Sequence, residues 1–125
     1  MAAKQGKLKQ ILFKLETTAE FLQKVDPENK KLTVIDLHLN WCGPCECIEQ
    51  NYRALAANHD NRVEFYTASE DVIPEDIKTS LQHGPLTCKP RFAVYVEGEC
   101  KAEIDGADFT LLESSVTKYA PQLDD

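Results

Sequence analysis

The sequence predicts an α/β fold: a central mixed β-sheet flanked by helices on both faces. Three observations predict it. Short β-rich apolar runs alternate with segments of helical period. The run from Leu32 to Leu39 is apolar on both faces until His38, as expected of a central strand in a covered sheet. The last two strands are separated by only Glu97-Gly98-Glu99, a tight turn that makes the second return antiparallel. A chain of 125 residues forms one domain, spanning 1–125 with its core at about 9–119.

Residues 9–15 read as the first strand. Thr17 and Glu20 have the spacing of a capping box, so a short helix runs to about Lys24 with Phe21, Leu22 and Val25 as its apolar side. Asp26 to Lys30 is a loop. After the 32–39 strand, Pro44 to about Asn58 is a helix with Ile48, Tyr52, Leu55 and Ala56 inward. Asn61-Arg62 turn into the strand Val63–Thr67. The polar stretch from Ser69 to Lys89 holds one helix near Glu75–Gln82. The strands Phe92–Val96 and Cys100–Ile104 form the hairpin. After Asp105-Gly106, an amphipathic helix from about Phe109 to Tyr119 turns Leu111, Leu112 and Val116 inward, and a frayed tail follows Pro121.

Composition bounds the function. Hydrophobic residues make up 42% and charged residues 28%, an ordinary globular profile. The net charge of −7 argues against phosphate-backbone binding, which needs clustered cations, so no nucleic-acid partner is expected. Residues 1–9 are basic without an apolar core, and no run reaches the roughly 18 apolar residues of a membrane span. The expected location is the cytoplasm. Five cysteines, an odd and sparse set, suit a reducing compartment better than a disulfide scaffold.

The chemistry concentrates in Trp41-Cys42-Gly43-Pro44-Cys45. Two thiols stand one helical turn apart, directly after a strand, an arrangement that makes and breaks a disulfide reversibly. Cys42 falls at a helix N-terminus, where unpaired N–H groups favour a thiolate. Cys45, one turn in, is expected to be more buried and to keep its proton longer. Pro44 has no N–H to offer sulfur and suits a first helical turn. Asp36, in an apolar strand, is expected to have its pKa raised by desolvation and so to accept a proton near neutrality.

This motif on this element order closely resembles the thioredoxin family over roughly Lys9 to Tyr119. Asp36 matches the family's buried acid, Pro90 its cis-proline, and Gly106 the glycine of its substrate-facing rim. The resemblance implies that Cys42 attacks substrate disulfides and that Cys45 resolves the mixed disulfide. It implies that Asp36 helps move the proton of Cys45, that Trp41 packs beside the site, and that Pro90 faces Cys42. The backbone of Lys89 would pair with an extended substrate, and a thioredoxin reductase is an implied partner. No cofactor is called for, and the chain has no phosphate loop.

Several positions depart from housekeeping members. Glu46 stands where a basic residue is usual: it either disfavours the thiolate or simply suits a first helical turn. Gln50 replaces a helix-kinking proline, and Phe65 a lysine that pairs with the buried acid. His38 replaces an aromatic and reads as a structural residue. Lys89 and Arg91 flank Pro90 as two cations beside the dithiol, favouring an acidic partner. The segment before Pro90 is longer than usual. This pattern is similar to the thioredoxin-like light chains of axonemal outer-arm dynein and to thioredoxin modules fused to nucleoside diphosphate kinase domains in cilia. It implies a redox-competent light chain docked on a dynein heavy chain or another axonemal protein in the cilium. The alternative is a free cytosolic protein disulfide reductase.

The remaining thiols read differently. Cys47 is a small core-facing hydrophobe. Cys88, two residues before Pro90, is a candidate regulatory thiol for a mixed disulfide or glutathione cap, or an inert exposed thiol. Cys100 is assigned no role. A zinc site from Cys42, Cys45, Cys47 and Cys88 is disfavoured, because Pro44 and the helix suit exchange better than a tetrahedral knuckle.

Overall fold

The computed structural model describes residues 11–42, 49–59 and 62–120. In chain order the elements are β1 (Leu12–Lys14), α1 (Thr18–Lys24), β2 (Leu32–His38), α2 (Glu49–Asn58), β3 (Val63–Ser69), α3 (Glu75–Thr79), β4 (Arg91–Val96), β5 (Glu99–Asp105) and α4 (Phe109–Tyr119). They build one mixed five-stranded sheet in the order β1-β3-β2-β4-β5. β1, β3 and β2 are parallel; β4 and β5 are each antiparallel to their inner neighbour. Every residue of β2 is buried, as its unbroken apolar run requires of the middle strand.

Side chains alternate across the sheet and build two cores. On one face Leu32 and Val34 of β2, Phe65 of β3, and Phe92 and Val94 of β4 pack against Tyr52 and Leu55 of α2 and Leu112 and Val116 of α4. The rings of Tyr52 and Phe65 stack with centroids 4.2 Å apart. On the other face Ile35, Leu37, Ala93 and Tyr95 meet Phe21 and Val25, with Ile73 closing the edge. Phe21 is fully buried and anchors α1, contributing about 2–3 kcal/mol by area. Thr17 caps α1 by accepting the Glu20 N–H at 3.1 Å, while the Glu20 carboxylate accepts the N–H of Glu16 at 2.6 Å.

The structure corrects several sequence expectations. Leu22 and Leu111, expected inward, are 48% and 47% exposed. In α4 the small Ser115 takes the buried place beside Leu112 and Val116. A 3₁₀ turn at Glu70–Val72, capped by Ser69, precedes α3, which ends at Thr79 instead of continuing to Gln82. β4 begins at Arg91 and β5 at Glu99, one residue earlier than read. The expectations for residues 9–10, Ile48 and the tail after Pro121 lie outside the described residues.

Two consequences are measurable. The β4–β5 turn places Glu97 at φ 51° and Gly98 at φ 85°, the left-handed pair that suits a twisted hairpin. A Cβ at Gly98 would lie 3.0 Å from Cγ of Pro27. Gly98→Ala is expected to cost about 1–2 kcal/mol, read as a lower urea midpoint at unchanged m-value. Separately, Tyr66 and Tyr95 hold their phenolic protons well above the usual tyrosine range, mainly through burial. Tyr66 also donates to the Glu64 carboxylate at 2.8 Å, whose charge adds to the shift. Their stabilisation is complete below the unfolded pKa of about 10 and is lost as pH rises beyond it. Unfolding free energy is expected to fall above pH ~10, by at most about 1.4 kcal/mol per pH unit for each ring.

Candidate functional site

β2 and β4 are antiparallel neighbours, with Leu37 opposite Arg91. The chain leaving β2 and the chain entering β4 therefore share one end of the sheet. Cys42 follows β2 there, its N–H donating to the carbonyl of Leu39 at 3.2 Å. Cys88 lies in the segment that leads into β4. The two are joined in a disulfide, with Cα atoms 5.6 Å apart. Cys42 is half-buried and Cys88 is exposed.

Asp36 lies below them on β2, 1% exposed, with Thr67 of β3 and Phe92 of β4 beside it in register. By the alternation of the strand it faces the side that α2 covers. His38 is also buried and its Nδ1 is 3.0 Å from the carbonyl of Leu39, consistent with the structural role read for it.

Trp41 is 77% exposed. Its ring stands in solvent beside Cys42 instead of packing on the site. The preceding residue is firmly held: Asn40 is bound from three directions, and sequence reading missed it. Its amide nitrogen donates to Asp71 at 2.7 Å, its side-chain oxygen accepts from Ser69 at 2.7 Å, and its N–H donates to Glu70 at 3.3 Å. These bonds fasten the Cys42 loop to the end of β3. Gly43, Pro44, Cys45, Glu46 and Cys47 lie outside the described residues.

The second loop is fastened by Arg91. The sequence reading placed this cation at the rim, free to attract an acidic partner. The structure instead buries it at 2% exposure, paired with Glu103 and Asp105 of β5 at 3.0 Å each. Its guanidinium also donates to the carbonyls of Gly84 at 2.8 Å and Pro85 at 3.1 Å. Glu103 completes the clamp by accepting the N–H groups of Gln82 at 2.6 Å and His83 at 3.0 Å. With the His83 carbonyl at 3.4 Å, all five guanidinium donors have acceptors, because Arg91, unlike Lys, presents a planar fork.

Lys89 is likewise paired, its ammonium 3.0 Å from Asp105. That contact, with Arg91 second, holds the Asp105 carboxyl below the usual carboxylate range. The rim charge is thus largely neutralised within the fold. Gly106, at φ 99°, donates its N–H to the carbonyl of Pro90 at 2.7 Å. Lys89, Pro90 and Gly106 do come together beside Cys88. No peptide bond among the described residues is cis, however, so Pro90 does not match a cis-proline; trans is the form an X–Pro bond prefers by about 0.5–1 kcal/mol. A groove of about 410 Å³ adjoins this end of the sheet, between Leu39, α3 and Leu81–Leu86, with Glu70, Glu75 and Lys78 on its wall.

Cys100, the free thiol among the described residues, lies on the exposed half of β5, its Sγ 3.4 Å from the carbonyl of Ala102. Among the described residues no group of histidine, cysteine and carboxylate side chains is placed to hold a metal, and no helix is long and apolar enough to cross a membrane.

A mixed sheet sandwiched by helices, with a cysteine of a CxxC motif oxidised at the end of its central strand, defines a redox-active α/β domain. The thioredoxin family model matches residues 13–118, and the chain belongs to the thioredoxin family. Mouse thioredoxin is 29% identical over 106 residues, covering 85% of this chain and 96% of its own. Thioredoxin domain-containing protein 3 of Rattus norvegicus is 36% identical over 90 residues, 70% of this chain but 14% of that longer protein. The fold is shared with thioredoxin NaTrxh of Nicotiana alata, at a TM-score of 0.68 with 20% identity over 92% of this chain and 97% of the other. Thioredoxin O2 of Arabidopsis thaliana in its oxidised state gives a TM-score of 0.65 at 23% identity, over 91% and 98% of the two chains. None of these relatives is a dynein light chain, so the finer resemblance finds no support among them.

Proposed function

We propose that the chain is a free protein disulfide reductase of the thioredoxin type, working in the cytoplasm. The observation that carries this reading is the engagement of Cys42, at the carboxyl end of β2, in a disulfide whose partner residue is exposed. A sulfur that enters and leaves such bonds at an accessible sheet end is the working part of a thiol–disulfide exchanger. The chain covers 96% of mouse thioredoxin, so the whole length of that fold has a counterpart here.

In the reduced protein, the Cys42 thiolate attacks a substrate disulfide. One half of the substrate leaves as a thiol and the other stays on Cys42. Cys45 then attacks Cys42, releases the second half and closes a Cys42–Cys45 disulfide. Asp36, buried on the α2 side of β2, takes up the proton of Cys45. A thioredoxin reductase or another external dithiol restores the pair. An extended substrate would meet Lys89, Pro90 and Gly106 beside Cys88. The test is reduction of insulin disulfides under limiting dithiothreitol. Acceleration over the reagent alone supports the reading; none overturns it.

A second reading rests on the sequence resemblance alone; the 36% identity to a 90-residue part of a longer protein says only that a similar domain also occurs within a larger chain. The same fold would then work inside an assembly, as an outer-arm dynein light chain docked on a heavy chain in the axoneme. Sedimentation of the tagged protein with a megadalton axonemal complex, unchanged by dithiol, would establish it over the free enzyme.

A further inference from the structure

The antiparallel pairing of β2 with β4 brings Cys88 to Cys42 as a consequence of topology. Leu37 and Arg91 are partners in register; Cys42 lies a short step beyond one and Cys88 a short step before the other. Their Cα separation of 5.6 Å falls inside the range that a disulfide spans without backbone movement. The segment bearing Cys88 is also held on both sides. Upstream, Arg91 and Glu103 bind residues 82–85. Downstream, the Lys89 N–H donates to the Thr87 hydroxyl at 3.1 Å and the Pro90 carbonyl accepts from Gly106. On the other side, Asn40 fixes the loop that bears Cys42. Both sulfurs are carried by fastened loops.

We propose that Cys88 is a second resolving thiol for Cys42, a catalytic residue that attacks the mixed disulfide independently of Cys45. This deepens the exchange reading given above and rests on it. After Cys42 has taken one half of a substrate disulfide, Cys88 loses its proton to solvent and attacks the Sγ of Cys42. The substrate half leaves as a thiolate and takes up a proton. The protein retains a Cys42–Cys88 disulfide, and the substrate disulfide has gained two electrons. An external dithiol then reduces that bond, which its exposure on the Cys88 side permits. While the bond stands, Cys42 is unavailable and the Pro90 loop is tied to it. The oxidised form is therefore a closed one.

The test uses glutathione disulfide as the probe, on reduced Cys45→Ser and on Cys45→Ser/Cys88→Ser, followed by intact mass and peptide mapping. Cys45→Ser is expected to take one glutathione on Cys42 and lose it to a Cys42–Cys88 linked peptide. The double variant is expected to keep the adduct, with loss slower by roughly tenfold or more, because an internal thiol acts at high effective concentration. Equal persistence of the adduct in both variants would overturn the proposal. The wild-type protein, mapped after the same treatment, guards against misfolded variants. A Cys42–Cys88 peptide supports the proposal, and a map with Cys42 joined to Cys45 alone overturns it. If wild type fails to reduce insulin yet forms the Cys42–Cys88 link, the reductase reading falls and this resolving step stands.

Discussion

Cys42→Ser is expected to abolish disulfide reduction, lowering the insulin-reduction rate by roughly 10³-fold or more, the scale on which loss of a nucleophile shows. Every exchange step passes through the Cys42 sulfur. Cys45 and Cys88 each need Cys42 to carry the mixed disulfide before they have anything to attack. A serine hydroxyl is isosteric but is not ionised near neutrality, and a half-buried position accepts it without repacking. The variant should therefore keep its far-UV spectrum while losing turnover. Substantial residual activity would move the chemistry to another cysteine, and Cys100, free and exposed, is the first to examine.

The second large effect belongs to stability. Arg91→Leu is expected to destabilise the fold by about 3–5 kcal/mol, because it strands Glu103, whose side chain is only 2% exposed, without its cation. For a domain of this size that lowers the melting midpoint by on the order of 15 °C. It also frees the carbonyls of Gly84 and Pro85, so the segment leading to Cys88 loosens. Adding Glu103→Gln to Arg91→Leu should restore part of the loss. Gln82 and His83 donate to different oxygens of Glu103, so the single amide oxygen keeps one of these two bonds, while the buried charge is gone. If the double variant is no more stable than the single, the cost lies in packing and not in an uncompensated carboxylate.

The clamp explains where sequence reading stopped. The fold was legible because its signals are local: the unbroken apolar β2, the Thr17 cap, the tight Glu97-Gly98 turn, and helices with one buried stripe. The placement of Cys42 after β2, of Asp36 buried on that strand and of Pro90 beside Gly106 was legible; the trans bond at Pro90 was not. The role of Arg91 was not, because it depends on a β-bulge. The register of β4 and β5 shifts between Val94 and Tyr95. Continued from the turn without that shift, the hairpin would set Arg91 opposite Ile104. With it, Arg91 meets Asp105 and lies on the same face as Glu103. One extra residue converts an apparent surface cation into a buried one. The Cys42–Cys88 bond was hidden for a similar reason, since it requires β2 and β4 to be neighbours, which is a fact of strand order and not of spacing along the chain.

The order of the strands leaves β1 and β5 at the two rims of the sheet. β1 spans only Leu12–Lys14, too short to template a further strand. The outer half of β5 is Glu99, Cys100 and Lys101, all exposed, with Lys101 paired to Glu99 at 2.7 Å. An incoming strand would have to strip water from that ion pair before gaining any main-chain bond. The borders of the molecule thus resist edge-to-edge stacking, and self-association into fibrils is disfavoured by the same charges that contribute little to folding.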